Sequence, residues 1–161
     1  MIHEITILNR IKNYYELTKP KIWYLLVFTA FGSALTASLL FNIPITPLTW
    51  ILLLGGVAAG SAAADTITGY NDRDIDAIMD RTKDRPIPSG RISPRNALIF
   101  GLILTAIALI FSWLINLWVF LLMLFGLFDN IIVYSKWLKR RNQANIILGG
   151  FSGGVPALIG Y

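Results

Sequence analysis

At 161 residues the chain has the length of one domain, yet 55% of it is hydrophobic and only 14% is charged, against about 25% charged in an ordinary soluble domain. With a mean hydropathy of +0.62, a soluble domain of this size lacks the interior to hide so many apolar side chains. The composition excludes a soluble enzyme, a nucleic-acid-binding domain and a disordered tail, and the lack of cysteine excludes a disulfide scaffold or a thiolate metal site.

Charge is clumped. No charged residue lies between Lys21 and Asp65, between Arg95 and Asp129, or after Arg141. The first twenty residues are polar and mixed, with no short apolar core before a cleavage-like site, so they do not read as a signal peptide. They include His3, the only histidine, which reads as a solvated tail residue. Four apolar runs follow, roughly 22–41, 48–69, 97–115 and 117–134. Each is near the ~20 residues that cross a bilayer as a helix. A fifth, glycine-rich run covers 145–161. The expected fold is an all-α polytopic transmembrane bundle with four complete spans and a fifth at the chain end.

Helix starts are written in the sequence. Thr46 precedes Pro47 and Ser93 precedes Pro94, each placing a capping hydroxyl before a proline whose fixed φ suits a first turn. Thr18 and Pro20 predict a similar start for the first span. Trp23, Tyr24, Trp50, Trp113, Trp118, Tyr134 and Trp137 fall near the expected interfaces, as aromatic anchors do. Gly149, Gly150, Gly153 and Gly154 predict close helix packing. Asp129 and Asn130 fall in the inner half of the fourth span, where an acid is a candidate functional group.

The basic residues form three clusters: Arg10, Lys12, Lys19 and Lys21; then Arg73, Arg81, Lys83, Arg85, Arg91 and Arg95; then Lys136, Lys139, Arg140 and Arg141. The other two connections carry no charge. Alternate loops therefore hold all 14 Lys and Arg. This positive-inside pattern places the N-terminus, the 70–96 loop and the 135–144 loop in the cytoplasm.

The loop from Tyr70 to Arg95 is the longest and densest in chemistry. Asp72, Asp76 and Asp80 recur every four residues. On a helix continuing the second span they form one stripe, drifting ~40° per step, with Asp65 on nearly the same face and carboxylates ~6 Å apart along the axis. Like charges at that spacing repel. A hard divalent cation is one way to offset this, since Mg²⁺ binds through one or two carboxylates and substrate phosphates. A solvated helix with local ion pairs, Arg73–Asp76 and Asp80–Lys83, is the other. Pro86, Pro88 and Gly90 break any helix and fold the loop back, either as a lid or as a plain turn.

The stretch DRDIDAIMDRTKDRPIPSGRIS (72–93) resembles the UbiA superfamily of membrane prenyltransferases. It joins an aspartate pair at Asp72 and Asp76 to an RTxxRP run at Arg81–Pro86. With YELTKPK (15–21), YSKWLKRRNQANIILGG (134–150) and GGVPALIGY (153–161), it is most similar to the protoheme IX farnesyltransferase (heme O synthase) branch. The resemblance implies about nine spans around a central cavity, with two aspartate-rich motifs that bind Mg²⁺ and a prenyl diphosphate. In that branch farnesyl diphosphate alkylates a vinyl group of heme b (protoheme IX). It also implies roles: Asp72 and Asp76 as the catalytic metal-binding pair, Thr68 and Asn71 completing the metal's donors, and Lys21, Arg81, Arg85 and Lys139 on the diphosphate. Thr68 stands where the family usually has asparagine. The second aspartate motif belongs to the second half of such a fold. The expectation is therefore an N-terminal portion of one domain, inactive alone and open to a complementary C-terminal half. Two alternatives stay open: a UbiA-type enzyme with a geranylgeranylglyceryl phosphate or quinone-precursor acceptor, and a non-catalytic cation-binding membrane protein.

Overall fold

The structure is a computed structural model that describes residues 2–138 and 145–161, with side chains described over 7–136 and 150–161. Among the described residues there are helices and turns and no strands. In chain order the helices are α1 (Ile2–Leu17), α2 (Pro20–Phe41), α3 (Pro47–Asn71), α4 (Arg73–Asp76), α5 (Pro94–Ile115), α6 (Leu117–Phe128), a π-helix (Asp129–Leu138) and α7 (Asn145–Gly160). Four segments are long and apolar enough to cross a membrane: Pro20–Phe41, Pro47–Asn71, Pro94–Ile115 and Leu117–Lys136. They match the four runs read from sequence. The last run is helical too, but its 16 residues fall short of the ~20 that span a bilayer, so a fifth complete span is not shown.

Capping chemistry sets the helix starts. Thr46 Oγ1 accepts from the Thr49 N–H at 3.2 Å, and Ser93 Oγ accepts from the Asn96 N–H at 3.3 Å. Asn116 does the same for α6, accepting from the Val119 N–H at 2.8 Å. The expected start of α2 is different. Thr18 donates to the Tyr15 carbonyl at 2.8 Å and accepts from Trp23 Nε1 at 3.2 Å, so it does not cap. The residue before Pro20 is Lys19, held at φ +49° in the left-handed region. This turns the chain sharply between α1 and α2.

Small residues let the helices approach. Alanines 30, 34, 59, 63 and 108 lie in the core beside Leu53, Val57, Met123 and Leu127. α3 packs most extensively against α5, and α2 packs on α7 and α3. A Cβ on Gly101 would sit 2.7 Å from Ile67 Cγ1, so the α3–α5 contact requires glycine there. Ser112 and Thr105 return their hydroxyls to Ala108 O and Gly101 O at 2.7 and 2.9 Å, so these two donors are satisfied among apolar neighbours. The outward faces are large and apolar, as at Phe28, Leu39 and Trp118, which suits contact with lipid. Of the glycines expected to pack closely, Gly150, Gly153 and Gly154 do not, and Gly149 lies outside the residues whose side-chain surroundings are described. A Cβ at Gly150, Gly153 or Gly154 would meet nothing within 4 Å. In α7 the tight approach falls on Gly160, against Ala30 of α2.

Candidate active site at one end of the bundle

The starts of α2 and α5 and the ends of α3 and the π-helix meet at one end of the bundle. Asn71 Nδ2 donates to Ser135 Oγ at 3.3 Å, tying α3 to the π-helix. Lys19 Nζ stands 3.1 Å from Asp65 Oδ1, tying the α1–α2 turn to α3. Arg91 reaches Glu16 of α1 at 2.7 Å. Lys19 of the first basic cluster and Arg91 of the second thus lie at this end.

Asp72 closes α3 with φ −92° and ψ 0°, its N–H donating to Thr68 O. One further turn, α4, carries Asp76, whose N–H donates to Asp72 O at 2.8 Å. Both aspartates are buried, each 6% exposed. Two acids at i,i+4 inside a protein need compensating charge or donors. Arg85 supplies it for Asp76, with Nη1 to Oδ2 at 2.8 Å. Thr82 Oγ1 donates to Asp76 O at 3.0 Å and ends the helix.

The expected continuous stripe therefore stops at Asp76. After Ala77 the chain runs in turns, and Asp80 is 98% exposed and pairs with Lys83 at 2.8 Å. The Asp80–Lys83 pair is as expected, whereas Arg73 does not pair with Asp76. It donates to Tyr70 O at 2.8 Å and lies 4.4 Å from the Tyr70 ring centroid. The Asp76 carboxylate turns inward to Arg85, nine residues away.

The loop folds back, as its prolines predict. Ile92 N–H donates to Pro86 O at 2.9 Å, and Gly90 takes φ +74°, which costs a side-chain-bearing residue. Ile87 and Ile92 bury with Leu17 and Ala97, against Tyr14, Tyr70 and Phe100. Beneath lies a cavity of 190 Å³ lined by Glu16, Leu17, Lys19, Asp76, Arg85 and Pro86, among others. A larger cavity of 530 Å³ runs inward between α2, α3, α6 and α7, with Lys19, Asp65, Thr68, Asn130, Tyr134 and Ser152 on its wall. Lys19 lines both.

The candidate residues separate accordingly. Asp72, Asp76, Thr68, Asn71 and Arg85 come together at the mouth. Thr68 is buried and donates to Asp65 O at 3.1 Å. Arg81 and Lys21 are exposed, and it is Lys19, two residues earlier, that enters the cavities. Lys139 and the side chains of His3 and Trp137 lie outside the described residues. Asp129 is 7% exposed at the first position of the π-helix, beside Asn130, which donates to Ser152 Oγ at 3.3 Å. Outside the membrane spans, Glu16 is held below the usual carboxylate range, first by its hydrogen bonds from Arg91.

The donor set fits a hard cation. Asp72 and Asp76 offer carboxylate oxygens one turn apart, and Thr68 and Asn71 can add neutral oxygens. No group of three acids or histidines forms a metal cage among the described residues. A cation held here would complete its shell with water and phosphate oxygens, as Mg²⁺ does.

The comparisons with known proteins agree with this geometry. Residues 25–161 match the model of the UbiA prenyltransferase family. A protoheme IX farnesyltransferase 2 from Cenarchaeum symbiosum is 52% identical over 95% of this chain and 52% of its own length. A protoheme IX farnesyltransferase from Thermoplasma volcanium is 45% identical, over 95% of this chain and 53% of its own. The chain thus spans about half the length of these relatives. Among solved structures, a digeranylgeranylglyceryl phosphate synthase superposes with a TM-score of 0.85 at 26% identity, over 94% of this chain and 52% of that one. A UbiA homologue from Archaeoglobus fulgidus, bound to DMAPP and Mg²⁺, superposes with a TM-score of 0.75 at 25% identity, over 92% and 53%. With its buried aspartate pair at the mouth of a helical bundle, the chain belongs to the UbiA prenyltransferase family.

Proposed function

We propose that the protein carrying this chain transfers a farnesyl group from farnesyl diphosphate to a vinyl group of protoheme IX, giving heme O, with Mg²⁺ as cofactor. The observation that carries the reading is the buried Asp72–Asp76 pair, with Asp76 held by the Arg85 guanidinium on the wall of the smaller cavity. The heme branch is favoured because the relatives at 52% and 45% identity bear that name.

The chemistry follows from the arrangement. Mg²⁺ bound by Asp72 and Asp76 would neutralise charge on a diphosphate leaving group. Arg85 and Lys19 add donors that strengthen as the C–O bond breaks and its electron pair leaves with pyrophosphate. The apolar part of the larger cavity, with Leu26, Val57, Met123 and Leu127 on its wall, would keep water from the allylic cation. The vinyl π-electrons then form the new C–C bond. Water adds to the remaining cationic carbon and releases a proton, which leaves a hydroxyethylfarnesyl group.

The positive-inside rule places the N-terminus and the 70–96 loop in the cytoplasm of a multi-pass cell-membrane protein. This chain supplies one wall of the site, and the second aspartate motif implied by the resemblance would face it from a complementary C-terminal half. The test is product analysis. Membranes containing the full-length protein, given farnesyl diphosphate and Mg²⁺, should convert heme b to heme O and leave glyceryl phosphate and aromatic acceptors unchanged. Prenylation of those acceptors in place of heme would transfer the assignment to another UbiA reaction.

A further inference from the structure

One side chain fastens the loop that covers Asp76 and Arg85. Arg91 donates through Nη1 to Glu16 Oε2 at 2.7 Å and Asn13 Oδ1 at 2.9 Å. Through Nη2 it donates to Glu16 Oε1 at 3.0 Å and the Asp84 carbonyl at 2.5 Å. Its Nε donates to Ser89 Oγ at 3.1 Å. An arginine has five N–H groups in a planar fork, and here every one has an acceptor. Glu16 and Asn13 belong to α1, while Asp84 and Ser89 belong to the loop.

This is more than a stray surface ion pair. A lone exposed pair contributes little, but a bidentate carboxylate within a network resists solvent better. The contact also closes a structural circuit. Glu16 and Leu17, at the end of α1, line the 190 Å³ cavity together with Asp76 and Arg85. Leu17 packs under Ile87 and Ile92 of the loop. α1 is therefore a wall of the site, although the family match begins only at residue 25.

We infer that Arg91 is a positioning residue, a latch that holds the loop against α1 and so keeps Arg85 and Asp76 aligned for a diphosphate. Its catalytic consequence rests on the prenyl-transfer reading; the latch itself is a statement about the loop. A lysine cannot replace it. An ammonium has three donors and no planar fork, so it cannot bridge α1 and both loop acceptors at once.

Two readouts test the latch on the full-length protein. The first is limited tryptic cleavage after the exposed Arg81 and Lys83. A protease needs an extended segment, so the rate reports lifting of the loop. Arg91→Lys and Arg91→Met should raise that rate about three- to tenfold, and the swap of Arg91→Glu with Glu16→Arg should lower it again. The second is kinetic. The KM for farnesyl diphosphate should rise by a similar factor, while the KM for heme and the thermal midpoint stay unchanged. If Arg91→Met does not insert, Arg91→Lys and Glu16→Gln carry both measurements. Unchanged cleavage and unchanged KM in the folded variants would overturn the inference. The two readings fail separately: undiminished turnover in Asp72→Asn with Asp76→Asn would sink the function, whereas cleavage reads the latch without any turnover.

Discussion

Removing the Arg85 guanidinium by Arg85→Met should destabilise the protein more than removing the charge it neutralises. Asp76 is nearly enclosed, its side chain 8% exposed, while Arg85 is 34% exposed. At 2.8 Å the gross attraction is ~6 kcal/mol at an effective dielectric of about 20. Most of that offsets the cost of taking the carboxylate out of water. Truncating one partner of a buried pair costs about 3–5 kcal/mol. Because solvent already reaches Arg85, we expect about 2–3 kcal/mol for Arg85→Met. Asp76→Asn leaves a guanidinium that can turn to water and should cost only about 1 kcal/mol. The double variant should be less destabilised than the sum, because it removes the buried charge together with its partner. Thermal unfolding of the full-length protein in detergent is the assay, with an expected midpoint drop of about 5–10 °C for Arg85→Met. Equal losses for the two single variants, or a strictly additive double, would refute the reasoning that Asp76 is the enclosed partner.

Three further outcomes follow from the structure. Gly160→Ala should push α7 off α2, since its Cβ would meet the Ala30 carbonyl and Ser33 Cβ; a loss of about 1–3 kcal/mol is expected, whereas Gly153→Ala, with open space around it, should be neutral or better. Thr46→Ala and Ser93→Ala should each cost about 1 kcal/mol in the same unfolding assay, through the lost caps of α3 and α5. The third outcome concerns pH. Arg91 lowers the Glu16 pKa from its usual 4.5, so the stabilisation of the loop is complete above that value and is lost as pH falls through the lower folded one. A protease active in acid should therefore nick the loop faster only below the ordinary carboxylate range, and Glu16→Gln should abolish that pH dependence.

Much of this architecture is legible in the amino-acid order, and the gaps have physical causes. The four spans follow from apolar length, and the α3 and α5 starts from a hydroxyl set before proline. α1 is not legible there, because Ile2–Leu17 is polar and mixed and its last turn packs through Leu17 and Glu16 on a loop distant in sequence. The π-helix from Asp129 has no residue signature, since shifting from i→i+4 to i→i+5 bonding is decided by packing. In the acidic run, four-residue spacing predicts a helix through Asp80, whereas the helical turns end at Asp76. What ends it is Thr82 bonding back to Asp76 O and Arg85 capturing the carboxylate, both tertiary events. The Lys19–Asp65 pair has a similar origin. Only the left-handed turn at Lys19 decides which lysine faces Asp65, and such a backbone turn at a non-glycine residue is not written in composition.

On the proposed reading, Asp72 and Asp76 hold Mg²⁺ against a prenyl diphosphate. The direct measurement is conversion of heme b to heme O by the full-length protein, titrated with Mg²⁺ after exhaustive chelation, for the native sequence and for Asp72→Asn with Asp76→Asn. Without the metal no product should form, adding Mg²⁺ should restore it, and the folded variant should not recover at any Mg²⁺ concentration. Equal turnover of native and variant proteins, or full turnover after chelation, would contradict that reading.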